Sequence, residues 1–293
     1  MNKAGFSVFV VVQYLLPKRL ISSLVFRLTR LRLRWFKNLC IRAFCRLYPI
    51  RMDEALKPKI SDYASFNEFF TRELRPGVRS LGGPAARILC PVDGTVSQAG
   101  QIDGQRVLQA KGRSYTLAAL LGDAELAAVF DGGSFATVYL APCNYHRVHM
   151  PIDGTLLSMR YLPGKFFSVN PSTVSGVDGL FARNERIVCE FATAVGRLVQ
   201  ILVGAFNVGS MATVWAGDVT PRKERRIDYR RYDDERVRLA RGAEMGRFNM
   251  GSTVIVLFAR DAVRLDPAMA PGQAVELGQT LALASAQARP GVD

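Results

Sequence analysis

Residues 241–258 read RGAEMGRFNMGSTVIVLF. The run Thr253-Val254-Ile255-Val256-Leu257-Phe258 is unbroken, β-branched and apolar, the pattern of a buried strand. Gly251 and Ser252 stand at its head. A glycine lets the peptide at 251–252 take a geometry that a side chain would forbid, and a serine placed after it can attack the preceding carbonyl. Taken alone, the same pattern also fits an ordinary turn before a strand.

Upstream, similar short runs recur at Val107–Gln109, Phe135–Leu140, Thr155–Leu162, Arg186–Phe191, Leu198–Val203 and Met211–Trp215. Gly, Pro and Asp separate them, which predicts a mostly β body. Leu117–Leu121 interrupts it as a helix. Residues 53–80 also read as helical, with Phe66, Phe69, Phe70 and Leu74 on one face and Pro76-Gly77 as the stop. The hexapeptides 91–96 (PVDGTV) and 151–156 (PIDGTL) echo each other. Each places an Asp-Gly turn at the head of a strand, which suggests paired hairpins.

The first 52 residues differ in kind. They carry 11 bases and no acid, whereas the remainder holds 28 bases against 25 acids. The whole chain of 293 residues has a net charge of +14, so a basic leader precedes a nearly neutral body. Phe6–Leu16 is apolar but too short to span a bilayer, and Pro17-Lys18-Arg19 after it fits a signal peptide poorly. From Leu20 the spacing predicts a helix, with Leu24, Leu28, Leu31, Trp35 and Leu39 on one face and Arg27, Arg30, Arg34 and Lys37 on another. Such a helix lies in a membrane interface and favours anionic lipid. The competing reading is a basic helix docked on its own domain. Nucleic acid fits less well: the charged run Arg222–Arg241 mixes nine bases with five acids, and no recognition motif accompanies it. Five scattered cysteines without a CxxC pair read as reduced thiols in a cytosolic compartment.

No P-loop, dinucleotide fingerprint, HExxH or EF-hand loop is present. Both histidines of the chain, His146 and His149, fall in PCNYHRVHMP (142–151). An imidazole exchanges protons near neutral pH, so this clustering points to acid–base chemistry. A structural histidine, or half of a metal site, are the other readings. In an extended segment, an offset of three sends the two rings to opposite faces.

These residues carry a family resemblance. Met250-Gly251-Ser252-Thr253 resembles the LGST self-cleavage motif of the phosphatidylserine decarboxylases, with Met for Leu. FNEFFTREL (66–74), PVDG (91–94), YHRVHMP (145–151), FARNER (181–186) and VWAG (214–217) resemble bacterial members in the same order. The resemblance implies an α+β protein: membrane-associated helices over 1–75, then a mostly antiparallel β catalytic body over 76–293. It implies cleavage between Gly251 and Ser252 into a β chain (1–251) and an α chain (252–293), with Ser252 becoming a pyruvoyl group. Ser252 is then the nucleophile, His149 the base, Asp93 the acid that orients it, and His146 a proton carrier in decarboxylation. Asp153 is a rival for the orienting role. The expected substrate is phosphatidylserine, the product phosphatidylethanolamine, and the location the cytoplasmic face of the cell membrane, as a homodimer of processed units without nucleic acid or metal. Two alternatives stay open: a membrane-bound Ser-His-Asp hydrolase at an unmodified Ser252, and a lipid-binding β protein without chemistry.

Overall fold

A computed structural model describes residues 18–110, 112–205, 210–222, 224, 226–232, 237–249 and 252–286. The apolar stretch Phe6–Leu16 lies outside them, as do Met250 and Gly251.

The apolar runs become strands because each can bury both faces. Ser252–Phe258 is buried at every position and pairs antiparallel with Ser134–Leu140 on one side and Gly196–Val203 on the other. These are central strands of a nine-stranded sheet that also contains Gly94–Gln101, Gly154–Leu162 and Arg186–Thr193. A four-stranded sheet carries Met211–Thr213, Glu244–Phe248 and Arg147–His149. Every pairing between named strands is antiparallel, so the α+β expectation with an antiparallel body holds. The two echoed hexapeptides each open a strand, Gly94–Gln101 and Gly154–Leu162. These are not neighbours in the sheet, so the paired-hairpin expectation is corrected. Gly94 is required there: a Cβ would collide with the Tyr139 carbonyl oxygen of the adjacent strand.

The leader forms two helices, α1 (Lys18–Thr29) and α2 (Arg34–Leu47), not one. The break follows from tertiary contacts. Arg30 turns to Ser210 and Asp218, and Leu33 is extended at φ −70° and ψ 110°. Leu24, Leu28, Leu31, Trp35 and Leu39 are all exposed, Trp35 by 70%. The cationic face is thinner than expected. Lys37 is buried, its Nζ donating to the Asn38 side chain and the Ile60 carbonyl. No helix among the described residues is long and apolar enough to cross a membrane.

Residues 53–80 are not one helix. They contain two short 3-10 turns and α3 (Phe66–Phe70), capped by Ser65 accepting from Glu68 N. Tertiary pairing overrides the helical spacing: Ala55 bridges Leu74 across the segment. Phe66, Phe69 and Phe70 form a small second core with Ile41 and Tyr63, against which Phe44 of α2 packs. The five cysteines are free, Cys90 and Cys189 buried and the others half-buried.

Candidate active site

One row of paired residues crosses five strands of the large sheet: Thr95, Tyr139, Thr253, Val203 and Arg186. Because neighbouring strands run in opposite directions, Asp93 before the first strand, the loop after Leu140 and Ser252 all lie at the same end. The 141–146 loop leads into Arg147–His149, which pairs with Glu244–Phe248, the strand that runs toward Gly251. The His146 backbone carbonyl accepts from Phe248 N at 3.0 Å, four residues before Ser252. His149 N donates to Pro91 O at 2.9 Å, two residues before Asp93. The topology thus gathers all four predicted residues from segments far apart in the chain.

Ser252 is fully buried, and its Oγ has no hydrogen-bond partner among the described residues. An unsatisfied buried hydroxyl costs about 1–3 kcal/mol, so its presence calls for a functional reason. Asn249, just upstream, is held firmly. Its amide nitrogen meets the Ser210 hydroxyl, its Oδ1 accepts from Asn67 Nδ2 at 3.0 Å, and Arg30 of α1 reaches the same Ser210 hydroxyl at 3.0 Å.

His149 has both ring nitrogens engaged. Nδ1 lies 2.7 Å from the Gly242 carbonyl and Nε2 lies 3.0 Å from the Tyr145 hydroxyl. Burial lowers its pKa, only partly offset by the Gly242 hydrogen bond and the Glu244 charge. His146 is fully buried and stacks on Phe70, with centroids 4.0 Å apart. Burial and the nearby Arg72 charge push its pKa down to about 3. Its Nε2 sits 3.3 Å from the Pro142 carbonyl, and Nδ1 is buried without a partner among the described residues. As the offset of three implied, the two rings occupy separate environments.

Asp93 differs from expectation. Its carboxylate binds Arg79 through two contacts, at 3.1 and 2.6 Å, meets Arg51 at 3.5 Å, and accepts from Leu277 N at 2.8 Å. The group at His149 Nδ1 is the Gly242 carbonyl instead. Asp153, the rival acid, accepts from Arg241 N at 2.6 Å and so anchors the turn that carries that carbonyl. Sequence reasoning missed Tyr145, Gly242 and Arg79. The one local signal for Tyr145 is its place in the histidine motif, four residues before His149.

The FNEFFTREL segment closes over this region. Phe70 stacks on His146, Arg147 Nε donates to Thr71 O at 2.9 Å, and Arg72 donates to Cys143 O at 3.3 Å. Its resemblance therefore has a structural counterpart: it covers the histidine loop.

Comparison with known proteins agrees with this layout. A family model described as phosphatidylserine decarboxylase matches residues 66–283, which include Asp93, His146, His149 and Ser252, and a second model, PSD, matches 8–49. The chain belongs to the phosphatidylserine decarboxylase family. It is 51% identical to the phosphatidylserine decarboxylase proenzyme of Methylobacillus flagellatus, over 93% of this chain and 98% of the relative. The proenzyme of Methylibium petroleiphilum is also 51% identical, with 94% and 97% covered. That of Acidovorax ebreus is 52% identical, with 93% and 96% covered. As a member of the phosphatidylserine decarboxylase family the chain is a decarboxylase, and neither the hydrolase nor the non-catalytic alternative gains support.

Proposed function

We propose that this chain cuts itself between Gly251 and Ser252 and then converts phosphatidylserine to phosphatidylethanolamine and CO2. The observation that carries this reading is Ser252: a buried serine with an orphaned hydroxyl, at the head of a fully buried strand, within the stretch matched to the family. In the cleavage, Ser252 Oγ adds to the Gly251 carbonyl carbon, the C–N bond breaks, and the serine proton passes to the released nitrogen. Elimination from the resulting ester and hydrolysis leave a pyruvoyl group at residue 252 and release ammonia. The orphaned, buried Oγ fits that conversion, since no hydrogen bond among the described residues uses the hydroxyl. The pyruvoyl ketone supplies an electron sink for loss of a carboxylate from an amine-bearing substrate.

The chain's own residues divide the remaining work. His149 Nε2 is the base for cleavage, because Nδ1 is committed to a carbonyl and must keep its proton. His146, shielded by Phe70 and neutral at rest, passes on the proton needed after decarboxylation by taking one up at one ring nitrogen as it gives one to the product carbanion. Asp93 ties the segments on either side of the cut, since Leu277 belongs to the future α chain and Arg79 to the β chain. The exposed apolar faces of α1 and α2 hold the site at the cytoplasmic membrane surface, where a phospholipid substrate is concentrated. Anionic lipid suits the basic leader, and residues 1–75 serve this association. Processed units pair as homodimers in this reading.

A denaturing gel with intact-mass measurement tests the proposal. A fragment of about 40 residues (252–293) with a blocked N-terminus is expected. Ser252→Ala is expected to remain one inactive chain. Cleavage of that variant at the same bond overturns the nucleophile assignment.

A further inference from the structure

Four arginines are buried among the described residues: Arg72, Arg79, Arg160 and Arg186. Three of them are well supplied with acceptors. Arg79 holds Asp93, Arg160 holds Asp123, and Arg186 donates to the carbonyls of Ala119, Leu120 and Asn184. Arg72 is the exception. It is 4% exposed, and its Nη2 donates to the Cys143 carbonyl at 3.3 Å. Its Nε is buried without a partner among the described residues, none of which forms an ion pair with it. A guanidinium keeps its proton even when buried, so it needs an anion or a full set of acceptors.

Arg72 lines a cavity of about 100 Å³ that Lys57, Tyr63, Glu68, Glu73 and Arg147 also line. That volume takes several water molecules, or one tetrahedral oxyanion. The other lining charges are matched. Glu68 accepts from Lys57 Nζ and from Ala64 N, both at 2.6 Å, and Glu73 meets Arg147 Nη2 at 3.0 Å. Arg147 spends Nε on the Thr71 carbonyl and Nη1 on Glu244. Lys57 is exposed and keeps donors to spare, since only Glu68 takes a bond from its ammonium among the described residues. What the wall lacks is negative charge at Arg72.

We propose that this cavity binds a phosphate group, carried either by free inorganic phosphate or by a phosphodiester head group. Arg72 supplies the planar fork that matches phosphate oxygens, and Lys57 a second cation. A carboxylate satisfies the fork alone, whereas the further oxygens of a phosphate also use the lysine. The bound oxyanion gives Arg72 its missing counter-charge. Arg72 also holds the Cys143 carbonyl, and Thr71 beside it holds Arg147, so an occupied site steadies residues 66–74 against the histidine loop. Such a site does not depend on the self-cleavage reading.

Phosphorus NMR and calorimetric titrations test it, on the purified chain and on the uncleaved Ser252→Ala chain, at constant ionic strength. The probes are inorganic phosphate and glycerophosphoserine, a head group without acyl chains. Saturable binding is expected, with a rise in melting temperature. Arg72→Gln is expected to weaken it at least about tenfold, and Lys57→Gln about threefold. Arg264→Gln removes an exposed charge elsewhere on the body and is expected to leave affinity unchanged. Binding of inorganic phosphate alone assigns the site to the free ion. Binding of glycerophosphoserine, alone or in competition with phosphate, assigns it to a head group. Where Arg72→Gln fails to fold, Arg72→Lys keeps the charge without the fork and is expected to lose affinity, as Lys57→Gln does. The site is overturned by no saturable binding of either probe, or by equal weakening in Arg72→Gln and Arg264→Gln. Full affinity in both Arg72→Lys and Lys57→Gln overturns it as well. Each result stands whether or not the chain cuts itself.

Discussion

Arg79 grips Asp93 with two nitrogens, Nε at 3.1 Å from Oδ1 and Nη2 at 2.6 Å from Oδ2, and both side chains are almost fully buried. The same Nη2 reaches Glu54 at 2.8 Å, while Arg51 joins Glu54 and Glu276 at 2.8 and 2.7 Å. The carboxylate that the family pattern assigns to catalysis is thus the centre of an ion cluster joining the leader, the body and the C-terminal segment.

Asp93→Asn removes the more buried of the two carboxylates that hold the Arg79 guanidinium, leaving Glu54. A loss of about 3–5 kcal/mol is expected, read by urea unfolding of the uncleaved Ser252→Ala chain. Replacing both partners with apolar residues, as in Arg79→Met with Asp93→Leu, is expected to recover much of it. Full stability of Asp93→Asn together with blocked cleavage shows instead that the carboxylate acts on the reaction.

His146 ties stability to acid. Its folded pKa, about 3, lies below its ordinary value of roughly 6.5. The unfolded chain therefore takes up the proton first. The contribution of the neutral ring is complete above about pH 6.5 and falls as pH drops toward 3. Unfolding curves of Ser252→Ala over that window are expected to show the decline, and His146→Leu in the same background to flatten it. An unchanged slope in that variant removes His146 as the cause.

Burial also lowers the His149 pKa, so the neutral base survives below the usual histidine range. The acid half-point of self-cleavage is expected below about pH 6.5. A half-point above that value contradicts the environment described for the ring.

Gly242 supplies the acceptor at Nδ1 from a left-handed turn, and a Cβ there would approach Leu81 at 3.1 Å. Gly242→Ala adds roughly 1–2 kcal/mol of backbone strain and moves the carbonyl from His149. Slower cleavage with a modest fall in melting temperature is the expected result. Unaltered cleavage shows that the acceptor is dispensable.

The exposed stripe on the leader should govern lipid partition. Replacing Leu24, Leu28, Trp35 and Leu39 with Ser is expected to weaken cosedimentation with anionic vesicles at least about tenfold. Cleavage should persist, because these side chains are exposed and none of them is among the groups that hold Asn249 and Ser210. Retained binding would locate the membrane contact elsewhere.

The strands were legible because their cores are buried on both faces, and a continuous apolar run such as Thr253–Phe258 has few other ways to satisfy its backbone and side chains. Residues 53–80 misled because apolar spacing near 3.6 there reflects three phenylalanines packing on α2, while the backbone around them is held by an Ala55–Leu74 bridge. Lys37 misled in the opposite direction: its amine finds the Ile60 carbonyl, an acceptor 23 residues away that no local pattern reveals.

The sequence by itself determined the basic, apolar leader, the β body, the serine after Gly251 and the paired histidines, because composition and periodicity are local properties. Only the tertiary structure decided what each reactive group touches. Asp93 meets Arg79, 14 residues away, and His149 meets a carbonyl 93 residues away. Charge and hydrogen bonding act through space, so the assignment of acid, base and orienting acceptor waits on which distant segments the folded sheet brings to one end.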